Sequence, residues 1–456
     1  MSIKAKVKPL LPPTERAFTA RISSLEKQLT VMENRIADLE RLCDTQAQSL
    51  DAYAQLTAEL FKPDTYSNPE YSNSKRRRSI LVAGWYGANN FGDELMMRTV
   101  LERFSENALA SINVLLWDND TYSRLNLPPE VGVIHYPKST WQLEELVELF
   151  DIIVWGGGSI LDDEQFNDDP RNINTGNLFI RLNILAESRG KEVWCLGLGT
   201  NHYFSDERYL RYLQEIIDGS SYFSVRDPES LETLVNNGID CSRVQLCNDI
   251  AFASKELRSI AAKPQLDAQY KLGIVCLCTE DLFEHYVTVL QAILQTLPQK
   301  DDAEQIALIP FLDEKGSDDA YYRRLKHRLG DSPSIAIARY SNELSNCALL
   351  KCNSCICYKY HASLIANALG IPGLHVVHSE HPHYQNKMTH ISKVFGYSSH
   401  LIDTATFESN TATLAKAALN DNTPPLLENH AIYSETEAWL QEICGQIEGG
   451  LVELSK

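Results

Sequence analysis

Four segments of this 456-residue chain combine glycines, carboxylates and cations in a way that can hold an anion and move a proton beside it. The first, Gly84-Trp-Tyr-Gly-Ala-Asn-Asn-Phe-Gly-Asp93, follows the apolar run 80–83. Gly84, Gly87 and Gly92 admit positive φ, so unshielded N–H groups and a helix N-terminus can converge on a phosphate or carboxylate. The same residues also suit a tight turn before a capped helix, with Asp93 in the first turn, where negative charge is favoured. The second, Gly156-Gly-Gly158-Ser-Ile-Leu-Asp162, follows residues 152–155. Its glycines leave amides open to an oxyanion, and Asp162 either takes a proton from a sugar hydroxyl or caps a helix. In the third, Arg226-Asp-Pro228, the guanidinium can fork onto a carboxylate or phosphate, or pair with Asp227 or Asp162. The fourth, Lys359-Tyr-His361, opens a helical run. There Lys359 offers a point charge, and His361, titrating nearest neutral pH, is the best general acid of the chain or else a packed histidine at a helix start.

Each segment directly follows a strand-like run, and that regularity describes the scaffold. Strand-like stretches at 80–83, 112–117, 152–155, 192–196 and 222–225 alternate with helical periods at 94–104, 141–150, 177–188 and 207–217. A second series has strands at 272–277, 305–310, 334–337, 354–357 and 374–377, with helices at 282–297, 320–329, 343–350 and 362–369. Such alternation predicts α/β architecture with parallel sheets covered by helices on both faces. Two doubly wound Rossmann-like domains, 79–254 and 270–456 with terminal helices, would face each other across a cleft, because ligands bind outside the carboxyl ends of such strands. The stretch 254–269, poor in apolar anchors, is the expected boundary.

Ahead of these domains, Ile22, Leu25, Leu29, Met32, Ile36, Leu39 and Cys43 step by three and four, followed by Leu50, Tyr53 and Leu60. The spacing predicts a coiled-coil helix over 1–61 and a homo-oligomer formed through residues 22–60, or a helix packed on its own globular body. Residues 62–78 read as a linker ending in Lys75-Arg-Arg-Arg78, either solvated charge or a contact for an anionic substrate or membrane. A formal charge of −19 argues against a nonspecific hold on nucleic acid or anionic lipid. No window resembles a signal peptide or a bilayer span, and 11 cysteines, several on strand-like runs, suit buried thiols in a reducing compartment. The expected location is the cytoplasm, with a peripheral place at the inner membrane face as a variant. Cys352, Cys355 and Cys357 read as buried sulfur rather than a metal site.

Taken in order, Tyr86-Gly-Ala-Asn-Asn-Phe-Gly-Asp-Glu94, Gly156-Gly-Gly-Ser-Ile-Leu-Asp162, Val225-Arg-Asp227, Lys359-Tyr-His361 with Ala368-Leu-Gly-Ile-Pro372, and Tyr384-Gln-Asn-Lys387 resemble the polysaccharide pyruvyl transferase family over about residues 79–397. The resemblance implies a GT-B-like fold, phosphoenolpyruvate as donor substrate, a glycan or lipid-linked saccharide as acceptor, and neither metal nor cofactor. It implies catalytic roles for His361, Asp162 and Asp93, and substrate contacts from Arg226, Lys359, Gly87, Asn90, Gly92, Gly157, Gly158 and Lys387. One position departs from the pattern. Lys359 stands where the family usually has arginine, keeping the charge but losing the bidentate fork. Two other readings remain: a nucleotide-sugar-dependent glycosyltransferase on the same architecture, and a non-catalytic coiled-coil scaffold with a degenerate transferase body. A dehydrogenase fits less well, because the first loop is not Gly-x-Gly-x-x-Gly.

Overall fold

The structure, a computed structural model, describes residues 79–117, 125–164, 175–200, 204–261, 268–297, 305–313, 317–378, 382–395, 401–411 and 430–453, with single positions at 166, 173, 413, 414 and 416. The expected coiled coil over 22–60 and the linker 62–78 lie outside the described residues. Among the described residues no helix is long and apolar enough to cross a membrane.

The apolar run Ile80–Ala83 forms β1, buried along its whole length, as a strand covered on both faces must be. It pairs in parallel with β2 (Ile112–Leu116) and β4 (Ile152–Leu161), Ile80 lying level with Ile112 and Ile152. With β3 (Gly132–His135), β5 (Glu192–Thr200), β6 (Tyr222–Val225) and β7 (Val244–Leu246) they make a seven-stranded sheet, ordered β3-β2-β1-β4-β5-β6-β7. A six-stranded sheet follows, ordered β10-β9-β8-β11-β12-β13. Its strands are β8 (Tyr270–Val275), β9 (Ile306–Leu308), β10 (Ile335–Ile337), β11 (Cys352–Cys357), β12 (Gly373–Val377) and β13 (Leu401–Asp403). Both sheets are parallel and doubly wound. Their strand order reverses at β1/β4 and at β8/β11, where the carboxyl ends open a crevice.

The structure differs from the sequence reading in places that have physical causes. β3, β7 and β13 escaped the pattern because they are short edge strands without a fully buried residue. Residues 343–350, expected as a helix, instead make the 3₁₀ turns Leu344–Asn346 and Ala348–Lys351. β4 does not end before its glycines. It runs on to Leu161, with Gly156 and Gly158 paired to Leu196 and Leu198 and a register shift beyond Gly158.

Among the contacts that join the halves, three stand out. Residues 89–91 run antiparallel to 311–313, Phe91 N–H donating to Phe311 C=O (2.9 Å) and Asp313 N–H to Asn89 C=O (3.0 Å), with the two phenyl rings 5.0 Å apart. The last helix, His430–Glu453, packs on the first sheet's side of the molecule, although it follows the second sheet in sequence. Trp439 donates to the Tyr222 hydroxyl (2.7 Å), and Glu437 pairs with Arg103 and Arg258. The third link is Glu94, completely buried on the helix Phe91–Leu101, whose Oε2 accepts from the Tyr340 hydroxyl (3.2 Å).

Burial raises the Glu94 carboxyl to about 7, with Arg98 and Tyr340 only partly opposing it. Because the folded value exceeds the unfolded one, the protonated carboxyl favours the native state below about pH 4.5, and that advantage is lost as pH rises through 7. Glu94→Gln keeps an acceptor for Tyr340 and removes the ionisation. It is expected to raise unfolding free energy by roughly 1–3 kcal/mol at pH 8, at ~1.4 kcal/mol per pKa unit, with the gain vanishing near pH 4. Urea unfolding of both proteins at the two pH values reads the difference.

Candidate active site

Between the strand ends lies a cavity of about 350 Å³ lined from both halves. The first half contributes Asn90, Asp93, Ser159, Asp162 and Arg226, and the second contributes Lys359, His361 and Lys387. Groups separated by up to about three hundred residues of chain thus share one space.

Asp249 is the hub. It caps the 3₁₀ turn Ile250–Ala253, its Oδ1 accepting from Ala251 N–H (2.9 Å), and its side chain is 1 % exposed. Oδ2 accepts from Arg226 Nη1 (2.9 Å) and lies 3.6 Å from His361 Nε2. Burial alone would raise this carboxyl, but the adjacent Arg226 and His361 more than reverse the effect and hold it well below the usual carboxylate range. Arg226, delivered by the end of β6, is buried as well. Its Nη2 donates to Ser159 Oγ (2.8 Å), Nε sits 3.6 Å from Asp227, and the guanidinium stacks 4.6 Å from the Tyr360 ring centre. Of the two pairings the sequence offered, Asp227 is within reach, while the stronger partner is Asp249.

His361 stands in the first turn of the helix Tyr360–Ala368, and its Nε2 makes no hydrogen bond among the described residues. The ring sits directly on Gly92, where a Cβ would lie 1.9 Å from Nδ1. This glycine therefore admits a side chain from the other half. Gly157 and Gly158 have φ of 86° and 93°, and a Cβ on either would press on Met96 Sδ (2.8 Å) or Asp93 Oδ1 (3.0 Å). Gly87 turns the chain at φ 81°. None of these four glycines is among the residues lining the cavity; they let helix, strand and His361 approach closely, and side chains supply the polar lining. Asn90 does line the cavity, from the N-cap of the helix Phe91–Leu101 and the antiparallel bridge to Leu312.

Lys359 Nζ donates to Asp318 Oδ2 (2.9 Å), a carboxylate that also accepts the Phe311 and Leu312 N–H groups. Asp318 occupies one of the three ammonium donors and aims the side chain. Lys387, on the helix Pro382–Val394, donates to Ser159 Oγ (2.7 Å), so Ser159 joins two cations from opposite halves. Burial, reinforced by Arg226, lowers the Lys387 ammonium to about 7 despite the nearby Asp227, Asp162 and Asp93. Asp93 moves the other way: burial raises it to about 6, against the pull of His361 and Arg226. Groups of opposite sign brought close to neutrality in one cavity suit proton transfer. Asp162 faces the same cavity and accepts Glu164 N–H (2.8 Å) in a short turn of its own.

The side chains that hold this arrangement were the ones least visible in sequence: Asp249, Asp318, Ser159 and Tyr360. Asp249 and Asp318 do carry a local signal, each preceding a short apolar or helical run as a cap or first-turn carboxylate. The pairings themselves, with His361 112 residues away and Lys359 41 residues away, carry none. The cysteines Cys352, Cys355 and Cys357 are buried in β11, and burial pushes the Cys357 thiol well up. Among the described residues no group of three or more His, Cys, Asp or Glu could hold a metal ion.

Two parallel doubly wound sheets meeting at a charged interdomain cleft define an α/β protein of the GT-B-like type. The model of the polysaccharide pyruvyl transferase family matches residues 90–380, and the chain belongs to that family, which makes it a transferase. No curated protein sequence matches it. Among solved structures it is similar to a candidate UDP-N-acetylglucosamine 2-epimerase from Listeria monocytogenes, at 10% identity over 82% of this chain and 97% of that one, with a TM-score of 0.51. It is likewise similar to S. aureus MnaA bound to UDP, at 11% identity over 83% of this chain and 98% of that one, with a TM-score of 0.50. At such identities the likeness is one of fold.

Proposed function

We propose that the chain transfers the pyruvyl group of phosphoenolpyruvate onto hydroxyls of a glycan or lipid-linked saccharide, forming a ketal. The observation that carries this reading is the gathering of Arg226, Lys359, Lys387 and His361 around one cavity at the strand ends. A small, doubly acidic donor matches such a set of cations. Phosphate and carboxylate are held by the free donors of Arg226 and Lys359, with Ser159 and Lys387 beside them. His361 protonates the methylene carbon, and a first sugar hydroxyl attacks the cationic C2 as Asp93 or Asp162 takes its proton. A second hydroxyl then displaces inorganic phosphate and closes the ketal, so one donor and two hydroxyls give one ketal and one phosphate. No metal or cofactor enters the scheme. The reaction is assigned to the cytoplasm, with the acceptor reached from solution or from the inner membrane face.

Calorimetric titration with phosphoenolpyruvate, set against a panel of nucleotide sugars, tests the assignment. Saturable binding of the former and none of the latter supports it, whereas the reverse result moves the protein to nucleotide-sugar transfer. Binding of neither leaves the scaffold reading. Gly92→Ala provides a geometric check, since the new methyl group must push the His361 ring aside. A displacement of about 1 Å in a reacting group costs on the order of 10²-fold, so phosphate release should fall by that factor. Donor affinity, set by Arg226 and Lys359, should change far less.

A further inference from the structure

The carboxyl edge of the first sheet is divided by composition. Three adjacent parallel strands, β3, β2 and β1, each deliver an aromatic ring within two residues of their ends: Tyr136, Trp117 and Trp85. On the other side of the β1/β4 reversal come Ser159, Arg226 and, after β7, Asp249. The aromatic side is rigidly built. Trp85 stacks on Trp117 with centroids 5.2 Å apart and planes 24° from parallel, and Tyr136 meets Trp117 edge-on at 4.8 Å. These spacings match the ~4.8 Å between neighbouring strands, so the sheet itself sets the stack. Backbone bonds lock the register: Trp117 N–H donates to Tyr86 C=O (2.8 Å) and Tyr136 N–H to Leu116 C=O (3.0 Å). Trp85 and Tyr136 line the same cavity as Arg226 and His361.

Trp85 has one face covered by Trp117, and a half-covered, immobilised indole at a cavity wall is a platform whose ordering cost has been met by folding. We propose that Trp85, backed by Trp117 and Tyr136, is the acceptor platform, taking the apolar C–H face of a pyranose ring. The ring's hydroxyl edge then points along the sheet toward Asp93, Asp162 and His361, which bears the reacting pair of hydroxyls toward the donor. About 350 Å³ is near the lower end of small-molecule pockets, roughly 300–1,000 Å³, and suits a three-carbon donor beside one sugar ring. The inference deepens the transferase reading and rests on it for the identity of the donor, though the platform itself can be tested separately.

The test uses the full chain and saturation-transfer NMR with methyl β-D-glucopyranoside, methyl β-D-galactopyranoside, N-acetylglucosamine and UMP, each with and without phosphoenolpyruvate, whose own affinity is followed by calorimetry. At least one pyranoside should bind wild type. Trp85→Ala should weaken that binding at least tenfold while leaving the phosphoenolpyruvate dissociation constant within about twofold, and Trp85→Phe, which restores a ring face, should recover part of the loss. Unchanged pyranoside binding in Trp85→Ala overturns the platform. So does a wild-type protein that binds phosphoenolpyruvate but no pyranoside, or one in which UMP binds in a Trp85-dependent way and displaces the sugar. Trp85-dependent pyranoside binding without any binding of phosphoenolpyruvate would keep the platform and remove the donor assignment instead.

Discussion

Replacing His361 by alanine is expected to lower turnover by roughly 10²–10⁴-fold, the range by which a positioned general acid accelerates proton transfer. The residue combines features that no other histidine among the described residues shares. It lines the cavity, stands in the first turn of its helix, and faces Asp249 at 3.6 Å with Nε2 free of hydrogen bonds. Deleting the ring opens space against Gly92 without stranding a charge, so the melting temperature should shift little. Donor affinity should persist, because Arg226 and Lys359 remain. Phosphate-release assays on wild type and variant decide the matter, and a variant retaining more than a tenth of wild-type turnover would remove His361 from the chemical step.

The second large effect is expected at Asp249, and it falls on stability and activity together. Asp249→Asn preserves the shape and the cap on Ile250–Ala253 but leaves the Arg226 guanidinium buried with Asp227, at 3.6 Å, as its remaining ion-pair partner among the described residues and Asp93 as a further counter-charge. Removing one partner of a buried ion pair typically costs about 3–5 kcal/mol, because the remaining charge has lost its water and its compensation. Urea unfolding at pH 7 should show a loss of that order, tempered by the contact with Asp227. The Arg226 side chain, released toward Ser159, should also disturb the bond between Ser159 and Lys387. Turnover should therefore fall beyond what reduced stability explains when assayed at a temperature where the variant is fully folded. A variant as stable as wild type would show that Asp227 suffices as counter-ion.

These two residues show how far sequence reasoning reached. His361 was legible because lysine, aromatic and histidine precede an apolar helix directly after a strand, a local arrangement that places polar groups at a strand's carboxyl end. Asp249 was not, because its sequence neighbours announce only a cap, while its role arises from Arg226, 23 residues earlier, and His361 in the other half. The glycines teach a related lesson. Of Gly84, Gly87 and Gly92, expected to turn the chain with positive φ, only Gly87 does, whereas Gly92 and Gly157 are places where a Cβ would not fit. What fills the space at Gly92 is an imidazole from the second half and at Gly157 a methionine from a neighbouring helix. A glycine reports that something comes close without reporting what.

Alternating apolar runs and helical periods determined two parallel α/β halves with the candidate site residues at their strand ends, because strand and helix periodicities are local properties of the chain. The tertiary structure alone decided the shared cavity, the pairing of Arg226 and His361 through Asp249, the tethering of Lys359 by Asp318, and the return of the last helix to the first sheet's side. Charge pairing and burial depend on distance in space, and residues 41 to over 200 positions apart come within a few ångströms only once both sheets have formed and packed.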